Sequence, residues 1–249
     1  MPTPSTSLCL DLGNTLTKYA LYRSGQLLET GVLDRDRLEE SLELLLKRSR
    51  PARSILCSVV SHPERVHHLL EDACETLLLD ARTPIPFRND YEHPESLGAD
   101  RLALAAGARA VFPDSHNLVI SLGTCITYNF ISRQGRFLGG AISPGMRMRF
   151  QSLHAYTERL PLVEPEHEVP RIGYNTRQSI LSGVMLGIQG ELQAAIRAYR
   201  ASYGNFNALL TGGDLEFFAD PLKNEIFADS LLIFKGLHAI LEFNASPSR

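Results

Sequence analysis

Apolar positions along the chain fall into two copies of one pattern. LCLDLGNTLTKYALYRSGQLL, from Leu8, aligns without a gap on LVISLGTCITYNFISRQGRFL, from Leu118. Leu8 meets Leu118, Leu12 meets Leu122, Gly13 meets Gly123 and Thr17 meets Thr127; Arg23, Gly25 and Leu28 then meet Arg133, Gly135 and Leu138. Each copy reads as a buried strand, a glycine corner, a second strand, a turn at Ser24-Gly25 or Gln134-Gly135, and a third strand. An internal duplication accounts for the shared register; two unrelated hairpins of similar composition are the alternative.

Helical patterns follow each copy. DRDRLEESLELLLKRS carries Leu38, Leu42, Leu45 and Leu46 as one stripe. ARSILCSVVS predicts a strand, HPERVHHLLEDAC a helix with an early proline, and ADRLALAAGARAVF a helix ending before Pro113. PGMRMRFQSLHAYT, TRQSILSGVMLGIQGELQAAIRAYRA and DSLLIFKGLHAILEF predict helices, and FNALLTGG a strand. Residues 161–175, rich in proline and charge, predict a loop.

Two three-strand units with trailing helices imply an α/β protein of two lobes, mixed sheets covered by helices, facing one another across a cleft. That layout resembles the duplicated actin-like, ribonuclease H-like fold of sugar kinases. No low-complexity linker separates the lobes, and the repeat divides the chain into residues 1–115 and 116–249.

Composition narrows the class further. Across 249 residues, 44% hydrophobic and 21% charged content is that of an ordinary globular protein. A net charge of −3 gives no electrostatic reason to expect nucleic acid or a membrane surface as partner. Cys9, Cys57, Cys74 and Cys125 form no CxxC pair, which suits a reducing compartment. MPTPSTS has neither a basic nor an apolar signal region, and no apolar run approaches the roughly 20 residues that cross a bilayer. The expected location is the cytoplasm. Eight histidines show no HxxxH or HExxH spacing, so no structural metal is expected.

The repeated corners carry the candidate chemistry. In DLGNTLTK, Gly13 lets the backbone approach a phosphate, while its neighbours' N–H groups and the Asn14 and Thr15 side chains can donate to phosphate oxygens. Asp11 can hold Mg²⁺ or its water, and Lys18 adds positive charge. An ordinary hairpin with an Asx turn uses the same residue types. In SLGTCIT, Gly123 and Thr124 keep the donors, but Ser121, aligned with Asp11, has no charge. GADR opens a helix, with Asp100 in its first turn, where the dipole favours an anion, and Arg101 beside it as a fork for carboxylate or phosphate. An acid beside an arginine suits phosphoryl transfer to an alcohol, the acid taking the proton; a plain Asp–Arg neighbour pair is the alternative. Small residues at Ala103, Ala106, Gly107 and Ala110, and at Gly183, Gly187 and Gly190, suit close helix packing in the core or at a dimer seam.

DLGNTLTK, HPESLGADR, SLGTCIT with GGAISPG, and a late TGGD resemble, in order and spacing, the motifs of type III pantothenate kinases. The resemblance runs from about Leu8 to the last helix. It implies ATP-dependent phosphorylation of the primary hydroxyl of pantothenate to 4'-phosphopantothenate, the first committed step toward coenzyme A. It implies that Asp11, Leu12, Gly13, Asn14, Thr15, Leu16, Thr17 and Lys18 form the first ATP phosphate motif, with Mg²⁺ at Asp11 through water. Gly123 and Thr124 belong to the second. Asp100 would be the proton acceptor, with Tyr91, Gly98, Ala99 and Arg101 lining the pantothenate site. Thr176 would reach pantothenate across a homodimer interface, and Gly212, Gly213 and Asp214 would lie near the adenosine.

Three departures stand out. Ser121 occupies the place of an acid associated with a monovalent cation, K⁺ or NH₄⁺; Asn129 replaces a frequent acid; and GYNT stands for a usual GDTT. A neutral Ser121 implies weakened or absent cation dependence, with Lys18 a candidate source of the missing positive charge. Another actin-like acyl or sugar kinase is a second enzyme reading. A kinase-derived protein that binds nucleotide or pantothenate and acts as a regulator is the reading from a different class; Asp11, Asp100 and Arg101 argue against it.

Overall fold

A computed structural model describes residues 5–245. The opening MPTP, part of the stretch expected to carry no secretory signal, lies outside the described residues. The described residues form two compact units, residues 5–111 with 231–245, and residues 112–230.

In the first unit the elements are β1 (Thr6–Leu12), β2 (Thr17–Arg23), β3 (Gln26–Leu33), α1 (Leu38–Ser49), β4 (Arg53–Ser58), α2 (Arg65–Ala73), β5 (Glu75–Leu78), a two-residue strand β6 (Arg88–Asn89), a 3₁₀ turn (Pro94–Ser96) and α3 (Ala99–Val111). The sheet order is β3-β2-β1-β4-β5, antiparallel from β1 to β3 and parallel from β1 to β5. β1 lies at the centre, so both its faces are covered and six of its seven residues are buried. Leu8, Leu10 and Leu12 pack with the α1 stripe and with Val66 and Leu70 of α2. The opposite face, with Cys9, Ile55 and Cys57, packs on α3 and on α8 (Leu232–Ala245). Each such leucine stabilises the fold by about 1.5–3 kcal/mol. Acids in the first turn of α1 and Lys47 and Arg48 in its last turn match the helix dipole.

The second unit repeats this plan. Its elements are β7 (Asn117–Leu122), β8 (Cys125–Ile131), β9 (Arg136–Pro144), α4 (Met146–Ala155), α5 (Thr176–Leu181), a π turn (Ser182–Leu186), α6 (Gly187–Tyr203), β10 (Asn207–Thr211), α7 (Leu215–Leu222) and β11 (Phe227–Ala228). Its strands run β9-β8-β7-β10-β11, the same order and the same parallel and antiparallel senses as β3-β2-β1-β4-β5. The duplication seen in three strands therefore extends to five. The sequence pattern does not mark β5, α7 and β11, because all three are short and β11 has only two residues.

The expected division at 115 and 116 needs one correction. Residues 231–245 belong with the first unit, because α8 packs on α3. A Cβ on Gly107 would lie 2.3 Å from the Leu232 carbonyl oxygen, and one on Gly236 only 1.7 Å from that of Ala103. Ala103, Ala106 and Gly107 of α3 thus form a seam inside this unit's core, whereas Ala110 is exposed. Gly183, Gly187 and Gly190 differ: a Cβ at any of them meets nothing within 4 Å. Among the described residues, no helix is long and apolar enough to cross a membrane.

Candidate active site

Strand parity aims the first acid. Cys9 packs on the α3 face, and Asp11, two positions on, points the same way. Cys57 of β4 is the register neighbour of Asp11. Burial raises the Cys57 thiol, and the charges of Asp11 and then Asp100 raise it further. The start of α3 therefore brings Asp100 to the place that Asp11 faces.

The two carboxylates differ in support. Asp11 is pushed up to about 7, by burial first and by Asp100 second, while Lys18, its paired residue on β2, pulls the other way. Burial also raises Asp100, opposed by the N–H of Arg101, the Arg101 charge and its own N–H. A Cβ on Gly98 would sit 2.5 Å from Asp100 Oδ1, so the glycine leaves the carboxylate its space. Arg101 is 5% exposed, with its guanidinium 5.5 Å from the centre of the Tyr91 ring. Ala99 opens α3 and packs at the edge of the apolar cluster.

At the β1–β2 corner, Leu12 and Thr17 are buried, whereas Asn14, Thr15 and Leu16 form an exposed tip. Gly13 N–H donates to the Leu16 carbonyl at 3.1 Å, and Arg35 donates to the Asn14 carbonyl. On the α1 flank of this corner lies a cavity of about 450 Å³, lined by Leu12, Thr17, Arg35, Leu38, His62 and Pro63 among others.

The second corner is one residue tighter. Four residues, 13–16, separate the paired Leu12 and Thr17, but three, 123–125, separate the paired Leu122 and Ile126. The ungapped alignment therefore slips across the corner: Thr127, opposite Ser121, is the structural counterpart of Lys18, opposite Asp11. An acid–base pair in one copy is a hydroxyl pair in the other. Thr211 of β10 also pairs with Ser121, and the buried Asn129 donates to Thr127 Oγ1 at 3.1 Å. The face beside Ser121 is made of hydroxyl and amide groups.

Two further corners meet this one. Gly145 N–H donates to the Thr124 carbonyl at 3.0 Å, and Asp214 N–H to the Leu122 carbonyl at 3.1 Å. Gly145 could carry no side chain, because its Cβ would lie 2.1 Å from the Gly123 oxygen. Gly212 has φ +103° and its Cβ would lie 2.3 Å from the Leu122 oxygen. Gly213 follows in the same turn, and Asp214 is raised by burial with Arg147 opposing. GGAISPG and TGGD thus converge on residues 122–124, Gly145 at Gly123 and Thr124, and Gly212 and Asp214 at Leu122. Thr176 is carried by a different element, as the exposed first residue of α5. Asn175 caps that helix, accepting from Gln178 N–H at 2.9 Å, which explains an Asn in GYNT.

Among the described residues, no three His, Cys, Asp or Glu side chains gather to hold a metal by themselves. Asp11 and Asp100 form a pair of carboxylates, which suits Mg²⁺, an ion that completes its shell with waters and substrate phosphates. A cation there relieves the repulsion that lifts Asp11.

The model of the family described as type III pantothenate kinase matches residues 7–198. A Christiangramia forsetii protein named type III pantothenate kinase is 42% identical over 239 residues, 96% of this chain and 98% of its own. In three dimensions, a Campylobacter jejuni protein named for the Baf family of transcriptional activators superposes with a TM-score of 0.66 at 22% identity, covering 96% of this chain and 100% of that one. The ROK hexokinase of Thermus thermophilus superposes with a TM-score of 0.52 at 12% identity, covering 97% and 100%. These likenesses show the duplicated actin-like kinase fold. The family match over most of the sequence and the relative's identity along nearly all of it place the chain in the type III pantothenate kinase family.

Proposed function

We propose that the chain carries out its family's reaction with Asp100 as the proton acceptor. ATP is held at the corner residues 11–18 and by Gly123 and Thr124. Pantothenate lies against Tyr91, Gly98, Ala99 and Arg101, its primary hydroxyl within reach of Asp100. The hydroxyl oxygen forms a bond to the γ-phosphorus as the bond to the β,γ-bridging oxygen breaks, and ADP leaves. The hydroxyl proton passes to Asp100. Mg²⁺, held by Asp11 through water, would neutralise charge on the phosphates. Arg101 supplies a fixed fork for an anionic group of the substrate. The observation that carries this reading is the seat of Asp100: at a helix start that turns N–H groups on its carboxylate, beside a second acid, with Gly98 clearing its space.

Two finer points belong to the same reading. Ser121 pairs with Thr127 and Thr211, beside Asn129, and is itself uncharged, so the reaction runs without a required monovalent cation. The working form is the family's homodimer, with Thr176 of the partner subunit completing the pantothenate pocket.

The test is direct. Purified protein with ATP, Mg²⁺ and pantothenate yields phosphopantothenate by mass. A protein that binds pantothenate and makes no product would be a regulator instead.

A further inference from the structure

One carboxylate of the second unit gathers donors from three elements. Glu191 of α6 accepts from the Tyr128 hydroxyl of β8 at 2.8 Å and from the Ser143 hydroxyl of β9 at 2.6 Å, both on Oε1. Its Oε2 accepts from Arg149 of α4. Arg149 also donates through Nε to the Pro144 carbonyl at 2.8 Å. Burial favours the neutral acid, but the bonds from Arg149, Ser143 and Tyr128 outweigh it and hold Glu191 below its ordinary pKa. The group is a fully bonded anion in a half-buried site.

What it grips matters more than how tightly. Ser143 precedes and Arg149 follows Pro144-Gly145, so Glu191 clamps that turn from both sides. Pro144 is paired with Cys125, and Gly145 holds the Thr124 carbonyl while lying too close to Gly123 for any side chain. A shift of the turn therefore moves residues 123–125 directly, because backbone meets backbone there. Neither Glu191 nor Arg149 belongs to the corner it supports.

The geometry points to Glu191 as a positioning residue for nucleotide: through Ser143 and Arg149 it seats Gly145 against Thr124, and so sets the geometry of the second phosphate corner. This inference rests on the reading that Gly123 and Thr124 hold ATP. Displacing donors by a fraction of their bond length weakens their grip on phosphate without any contact being removed. A Gln at 191 keeps the size of the side chain but turns one acceptor into a donor, facing either Arg149 or the hydroxyls.

The experiment compares wild type with Glu191→Gln and Ser143→Ala. It measures ADP affinity by calorimetry, KM for ATP and for pantothenate separately, and the melting temperature. Glu191→Gln should weaken ADP binding and raise KM for ATP about fivefold or more, while KM for pantothenate changes less than about twofold. Ser143→Ala removes one hydroxyl, and serves if the first variant fails to fold; it should move the same two readings in the same direction. A lowered melting temperature with unchanged ADP affinity would leave Glu191 a purely structural residue and overturn the inference. So would equal rises in both KM values. If wild type binds ADP but makes no phosphopantothenate, the functional reading fails alone, and ADP affinity still decides the role of Glu191. If wild type binds no ADP, both fall.

Discussion

Asp11 at the end of β1 and Asp100 at the start of α3 share one face of the first sheet, and the charge of Asp100 adds to burial in lifting Asp11 to about 7. The two acids are supported differently: N–H donors and the Arg101 charge oppose burial at Asp100, and the Lys18 charge opposes it at Asp11.

Replacing Asp100 by Asn removes the proposed proton acceptor while keeping shape. The kcat for phosphopantothenate formation should fall about 10²-fold or more. Steady-state rates by mass detection check this, and an unaffected variant would remove Asp100 from the mechanism.

Stability should register Asp11 in the metal-free protein. Its folded pKa is raised from 3.8 to about 7, so across that window the folded chain holds a proton that the unfolded chain has lost. Stability contributed this way is present below the unfolded value and is lost as pH rises through the folded one. Asp11→Asn abolishes the titration, so the variant should gain on wild type by up to on the order of 4 kcal/mol across the window. Urea midpoints measured from acid to neutral pH give the difference, and one that stays flat with pH contradicts the burial and pairing of Asp11.

Gly98→Ala places a methyl where the Asp100 carboxylate now lies, 2.5 Å from Oδ1. The carboxylate must rotate away, so kcat should drop by roughly 10- to 100-fold with only a small change in thermal stability. A variant as active as wild type would mean that the present orientation of Asp100 is irrelevant to turnover.

Gly236→Ala tests the helix seam. Its Cβ would meet the Ala103 carbonyl at 1.7 Å, a backbone atom that cannot swing aside. The α3–α8 pair must separate, at a cost of about 1–3 kcal/mol, read from the denaturant midpoint.

Rates in Na⁺, NH₄⁺ and K⁺ buffers should agree within about threefold, because Ser121 and its neighbours Thr127, Asn129 and Thr211 offer neutral oxygens only. A tenfold preference for one cation would show that a binding site persists without the acid.

The chain itself determined the plan. A repeat of Leu, Gly and Thr positions announced two like units, and DLGNTLTK, GADR and SLGTCIT marked the corners and the helix start on which the proposed site residues stand. Strand alternation and glycine corners are local properties, legible wherever side-chain period and turn chemistry agree. Only the tertiary structure decided the rest. The one-residue difference between the corners, which sets Thr127 rather than Tyr128 opposite Ser121, follows from cross-strand pairing that an ungapped alignment cannot register. The return of α8 to the first unit depends on Gly236 meeting Ala103 across more than a hundred residues, and the clamp of Glu191 on the Pro144-Gly145 turn depends on three elements converging on one carboxylate. In the sequence, Glu191 is one acid on an amphipathic helix. Its partners are chosen by packing in space, which spacing along the chain does not encode.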